Sequence, residues 1–327
     1  MALALVTGGT GFVGSHIVRA LNEAGHRARV LHRRSSKLDA LESTDYESAI
    51  GDILDADSLR AACAGCDWVF HVAAVADYWR ADHSRMFEAN VEGTRRVLEA
   101  ARATGVKRVV FTSSAAAVGL RADGTPAPES EPFNLSPERF PYGYSKVLAE
   151  KVAQEAVANG QDVVTVNPVV VMGPGDLNMI SGSYIVQVKR LGALVPVTPG
   201  GIAVIDVRDV ARMHLAAAER GRTGERYILC TANYTHREWL GMIADVVGVR
   251  RPFLPLPGAI LPAAATLVEL ARKLGIETPV DSDQTRLGAR NIYFDGAKAW
   301  AELAQPQVAM ETSLRDTYAW YRARGLV

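Results

Sequence analysis

The chain has 327 residues, 48% of them hydrophobic, which is enough for about two domains or one large α/β unit with an appended lobe and excludes a disordered or fibrous chain. Its 36 basic residues balance 36 acidic ones with no long run of either sign, so neither a nucleic-acid groove nor a polybasic membrane patch is expected. Three cysteines cannot frame a chain this long with disulfides, and an odd count leaves a thiol unpaired, which points to a reducing cytoplasm.

The apolar start, Met1 to Val6, has no basic leader and runs into glycine at Gly8, so it reads as a first strand and not as a signal peptide. Valine-rich runs then alternate with segments of helical period: Ala2 to Val6, Phe12 to Ala24, Ala28 to Leu31. A strand at Asp67 to Val72, a helix from about Arg85 to Ala103 and a strand at Arg108 to Thr112 continue the pattern. A polar, proline-rich loop from Gly119 to Pro141 leads to a helix over Tyr142 to Ala158 and a strand at Val163 to Val166. This is the βαβ rhythm of a parallel sheet, and Asn167-Pro168 ends it. The expectation is one unit over 1–168 and a smaller lobe over 169–327, with a strand and helix near 202–220 returning to the first unit. The most apolar later stretch, Gly258 to Leu274, is broken by Pro262 and Glu269 and is too short to span a membrane.

Gly9, Gly11 and Gly14 form a Gly-x-Gly-x-x-Gly loop between the first strand and first helix, with Gly8 beside it. Glycines there permit a tight turn and let a pyrophosphate approach backbone N–H groups at a helix N-terminus. A ligand-free turn is the bland alternative, and the strand-turn-helix context argues against it. Gly8, Gly11, Phe12, Val13 and Gly14 are therefore candidate cofactor residues on a Rossmann-type, doubly wound parallel sheet. About 20 residues on, an acidic side chain would read the NAD ribose and an arginine the NADP 2′-phosphate. The chain has His32-Arg33-Arg34-Ser35-Ser36 and no carboxylate before Asp39, which favours NADP(H) over NAD(H) unless the arginines are merely a solvated turn.

Tyr142 and Lys146 stand four apart on one helical face. A phenol beside an ammonium can transfer protons near neutrality, although the same spacing also arises as surface decoration. Ser114, in Thr112-Ser113-Ser114 at a strand's carboxyl end, could hydrogen-bond a substrate carbonyl where ligands of open parallel sheets sit.

With Asp52, His71-Val72-Ala73-Ala74, Asn90-Val91-Glu92-Gly93-Thr94, Ser113-Ser114 and Tyr142-x-x-x-Lys146, the chain resembles the extended short-chain dehydrogenase/reductases along its whole length. Asn167-Pro168, Gly173-Pro174, Val207-x-Asp209-Val210-Ala211 and Ala319-Trp320-Tyr321 are similar to their dihydroflavonol-4-reductase-like branch, which also holds hopanoid-associated sugar epimerases. The resemblance implies Tyr142 as general acid, Lys146 as its activator and nicotinamide-ribose ligand, Ser114 as carbonyl-polarising hydroxyl and Asn90 as support. It also implies Asp52 and Ile53 at the adenine, Ala73 and Ala74 at the riboses, and Pro168 at the nicotinamide. By family analogy alone it allows a homodimer through the helices at 85–103 and 142–158.

Two departures bear on the activity. Ser114-Ala115-Ala116-Ala117 lacks the acidic pair of 4,6-dehydratases, and Val166-Asn167-Pro168 lacks the arginine-led segment typical of epimerases. Three readings compete: an NADPH-dependent carbonyl reductase, a sugar epimerase that retains its NAD, and a dinucleotide-binding module without chemistry, against which the intact Tyr142 and Lys146 argue. From Phe253 to Ala271 the lobe has no lysine or arginine, so the expected small-molecule substrate is uncharged and mostly apolar, unless that stretch only packs the core. Cys63-Ala64-Gly65-Cys66 has redox spacing but reads as a helix-to-strand turn, and the scattered histidines give metal chemistry no support.

Overall fold

The computed structural model describes residues 1–76, 82–179, 181–276 and 282–327. The chain runs β1 (Leu3–Thr7), α1 (Phe12–Glu23), β2 (Arg27–His32), β3 (Glu47–Ile50), α2 (Ala56–Cys63), β4 (Trp68–His71), α3 (His83–Phe87), α4 (Gly93–Ala103), β5 (Arg108–Thr112), α5 (Pro141–Ala158) and β6 (Val163–Pro168). It continues β7 (Val170–Met172), α6 (Ser183–Leu191), β8 (Gly201–Asp206), α7 (Val207–Arg220), β9 (Arg226–Leu229), β10 (Ala232–Thr235), α8 (His236–Val247), α9 (Leu261–Lys273), α10 (Ser282–Leu287), β11 (Asn291–Ile292), α11 (Ala297–Glu302) and α12 (Met310–Ala323).

Seven strands pair in parallel in the order β3-β2-β1-β4-β5-β6-β9, a Rossmann-type arrangement. Helices cover both faces, which is why the central strands β1, β4, β5 and β6 read as mostly apolar runs, while the edge strand β3 is half exposed. On β1, Ala4 and Val6 pack with Ile17 and Leu21 of α1 and Val210 and Met213 of α7, whereas Leu5 packs with Leu59 of α2 and Val97 of α4. The strand order reverses between β1 and β4, so their carboxyl ends flank the crevice where ligands bind in open α/β sheets.

A second sheet is centred on β8, with β10 antiparallel to it and β7 and β11 parallel. Trp239 and Ile243 of α8, Ile185 of α6, and Leu314 and Tyr321 of α12 build its core. Tyr321 donates to the Asp176 carbonyl at 3.1 Å, tying the last helix to the segment after β7.

Two expectations are corrected here. The strand near 202 belongs to the second sheet; the return to the large sheet is made by α7, which packs on α1, and by β9, which pairs with β6. The helix expected over 85–103 is interrupted by a π-helical turn at Glu88–Glu92, and this wider turn carries Asn90 inward.

Candidate active site

At the carboxyl end of β1, Gly8 has φ +72°, and a Cβ on it would stand 2.7 Å from the Ala73 nitrogen. Gly11 N–H donates to the Gly8 carbonyl at 2.9 Å, while a Cβ on Gly14 would meet that oxygen at 2.2 Å. The loop therefore lies directly on α1. Gly11 offers no side-chain cap and the first intrahelical bond is from Ser15, so the N–H groups of Phe12, Val13 and Gly14 have no intrahelical acceptor at the positive end of the helix dipole. A cradle of bare backbone donors fits a dinucleotide pyrophosphate.

Ala73 is locked to this loop, since Val72 and Ala73 N–H both donate to Thr7 Oγ1 at 3.2 Å. Ala74 follows it, and Asn90 then holds Val75 through both backbone groups, at 2.8 and 3.0 Å. Asp52 and Ile53 follow β3: the Asp52 carboxylate accepts from Leu54 N–H at 3.0 Å, and Ile53 packs against Gly93 at the start of α4. Arg33 and Arg34 stand apart, exposed on the turn after β2, with no ion pair recorded for either among the described residues.

Pro141 occupies the first turn of α5, where its missing N–H costs nothing. A Cβ on Gly143 would lie 2.4 Å from the Ala116 carbonyl, so only glycine lets the helix settle on the Ala115–Ala117 turn. This approach brings the Tyr142 phenol into a hydrogen bond with the Ser114 side chain. Burial pushes the phenol up to about 12, an effect that the Ser114 bond partly opposes. One turn along, the Lys146 ammonium donates to the Thr112 carbonyl at 2.9 Å and stands 5.3 Å from the Phe111 ring centre. Burial lowers it to about 8, and the Glu150 charge opposes that fall.

Asn90 also donates to Ser145 Oγ at 3.0 Å, and Ser145 donates to the Tyr142 carbonyl at 2.7 Å, so the π-turn braces the first turn of α5. Pro168 ends β6 beside Ser114, whose carbonyl accepts from Asn167 Nδ2 at 2.9 Å. Ser114, Tyr142, Lys146, Asn90 and Pro168 thus share one region, and the glycine loop with Ala73 forms its neighbour across the crevice.

Two groupings escaped the sequence reading. Thr7, His71 and Thr94 form a buried chain at 2.8 and 3.0 Å, ending on the Asn90 carbonyl, and desolvation keeps His71 neutral by lowering it to about 3. Glu150, Ser113, Asn167 and Arg226 form the other. The i+4 step from Lys146 to Glu150 was the available signal for the second. Cys63 and Cys66 are buried free thiols that desolvation raises, Cys63 to about 12, so neither has thiolate character. No described helix is long and apolar enough to cross a membrane.

The model of the NAD dependent epimerase/dehydratase family matches residues 4–230. The Synechocystis sp. "Putative dihydroflavonol 4-reductase" is 37% identical over 98% of this chain and 95% of its own. "Sterol demethylase protein B" of Methylococcus capsulatus is 33% identical over 99% of each chain, and cinnamoyl-CoA reductase 1 of Petunia hybrida is 34% identical over 77% of this chain and 78% of its own. Among solved structures, PA4631, a nucleoside-diphosphate-sugar epimerase from Pseudomonas aeruginosa, has a TM-score of 0.82 at 28% identity and covers 99% of each chain. These likenesses and the dinucleotide cradle describe an enzyme that acts on carbonyl or hydroxyl groups with a nicotinamide cofactor, and the chain belongs to the NAD dependent epimerase/dehydratase family of extended short-chain dehydrogenase/reductases.

Proposed function

We propose that the protein is an NADPH-dependent reductase of a carbonyl on an uncharged, mostly apolar substrate, reversible as an alcohol dehydrogenase. The observation that carries this reading is the hydrogen bond between Ser114 and the Tyr142 phenol at the carboxyl end of β5, with Lys146 one turn along α5. The cofactor, held by the cradle from Gly8 to Gly14 with Ala73, Ala74 and Pro168 as further contacts, supplies the hydride when bound. Ser114 donates a hydrogen bond to the substrate carbonyl oxygen, and the Tyr142 O–H gives that oxygen its proton as negative charge develops there. Burial keeps the phenol protonated until it is needed as an acid. The Lys146 ammonium stabilises the phenolate that remains and offers donors to the nicotinamide ribose. Ser114→Ala is expected to lower kcat by about 10²-fold, the scale of one lost oxyanion donor, with NADPH affinity unchanged by titration.

The substrate class is supported by the lobe. Leu254 pairs through its backbone with Val197 beside the second sheet, yet Phe253, Leu254, Ile260, Leu267 and Leu270 are exposed, so this stretch does not simply pack the core. Its single charge, on Glu269, is turned to Arg286 of α10 at 3.9 Å. Such a surface offers an apolar substrate burial at about 25 cal/mol per Å², and from Phe253 to Ala271 it contributes no lysine or arginine to a sugar-nucleotide pyrophosphate. Within a ketone series assayed with NADPH, KM should fall as ring size grows until the pocket is filled. A flat ketone series together with rapid UDP-sugar epimerisation by protein that purifies with its cofactor bound would overturn this reading in favour of an epimerase.

A further inference from the structure

Glu150 stands one turn beyond Lys146 and two beyond Tyr142, so the three side chains share one face of α5. Its side chain is only 12% exposed, yet both carboxylate oxygens are partnered. Oε1 accepts from Ser113 Oγ at 2.5 Å and Asn167 Nδ2 at 2.6 Å, and Oε2 accepts from Arg226 Nη1 at 2.9 Å. The donors come from the end of β5, from β6 and from the start of β9. Asn167 Nδ2 is shared with the Ser114 carbonyl, so the carboxylate is linked through one side chain to the residue that touches the Tyr142 phenol. Arg226 is fixed in turn by the Glu129 carbonyl, to which its Nε donates at 2.7 Å.

We propose that Glu150 is a positioning residue, the fixed counter-charge of Lys146, and that its three donors hold the Tyr142–Lys146 pair in register with Ser114. The inference rests on reading Tyr142 and Lys146 as the proton-transfer pair. Among the described residues few other groups can play this part. His71 is neutral, Tyr142 is a protonated phenol, and the Thr112 carbonyl and Phe111 ring carry no net charge. Among the described residues Arg226 is the other full charge in the cluster, and it is engaged on Oε2. A counter-charge alone would need only proximity; holding it with donors from three strands fixes its distance from the ammonium as well.

The test titrates Lys146 in the cofactor-free protein by NMR of 13Cε-labelled lysine, its signal assigned by comparison with Lys146→Arg. Wild type should titrate at about 8. Glu150→Gln removes the negative charge and should lower the midpoint by about one unit, whereas Arg226→Gln frees that charge from its competing partner and should raise it. The alkaline limb of kcat for carbonyl reduction should move in the same two directions. A contact that serves stability alone would not produce opposite shifts. Midpoints within about 0.2 unit of wild type in both variants, or shifts of the same sign, would overturn the inference, since an opposite charge that faces the ammonium must favour its charged form. If Glu150→Gln does not fold, the absence of an upward shift in Arg226→Gln decides against it. Failure of the underlying reading is separable: a fully active Tyr142→Phe would remove the proton-transfer role and leave the Lys146 titration where it was.

Discussion

Tyr142→Phe is expected to lower kcat for carbonyl reduction by about 10²–10⁴-fold, the range that one positioned general acid contributes, while NADPH affinity stays within about threefold of wild type. The substitution removes one oxygen and keeps the buried ring, so the thermal midpoint should change little. The loss should fall on kcat and kcat/KM alike, because the phenol acts on charge that develops only as the carbonyl is reduced. Lys146→Ala should differ by damaging cofactor binding as well as turnover. Single-turnover reduction of an aryl ketone, with NADPH followed by absorbance, measures both quantities in one experiment. Turnover by Tyr142→Phe within about threefold of wild type would end the assignment of Tyr142 as the acid.

Much of the large sheet was legible because its central strands β1, β4, β5 and β6 are covered on both sides and the helices α1, α4 and α5 show a helical period. The glycine loop was legible for a different reason: its residues are set by close approach, and the 2.2 Å from a Cβ on Gly14 to the Gly8 carbonyl leaves no alternative side chain. The return strand was misplaced because Val204-Ile205 and Tyr227-Ile228-Leu229 are equally apolar short runs, and periodicity over four residues cannot say which sheet a strand joins. The π-turn at Glu88–Glu92 leaves the apolar pattern of its helix nearly intact, so the inward turn of Asn90 had no signature of its own. Glu150 was passed over because a lone glutamate on a helix normally faces water. Its burial depends on Ser113, Asn167 and Arg226, which converge only when β5, β6 and β9 lie side by side. The lobe was least legible: composition between Phe253 and Ala271 is the same whether the apolar side chains face inward or outward, and the fold turns Leu267 and Leu270 outward.

Replacing Arg33 and Arg34 together by alanine should weaken NADPH binding by about 10- to 100-fold and leave NADH binding nearly unchanged. A charge-assisted hydrogen bond contributes ~1.5–3 kcal/mol when well formed, and the solvent exposure of both guanidinium groups places the pair toward the lower end. Both arginines sit at the carboxyl end of β2, the strand beside β1, on a turn closed by Ser36 N–H donating to the Arg33 carbonyl at 3.0 Å. No carboxylate is recorded against either side chain among the described residues, and Asp52, at the end of the neighbouring β3, is occupied by the Leu54 N–H. The cations are therefore available to a 2′-phosphate without breaking an existing ion pair. Because the interaction is exposed, its strength should fall with added salt: raising ionic strength should weaken NADPH binding to wild type more than to the double variant, and NADH binding little in either. Isothermal titration of both cofactors at low and high salt separates the contributions. Equal wild-type affinities for NADH and NADPH would show that the two arginines are a solvated turn and that the 2′-phosphate is not read at this position.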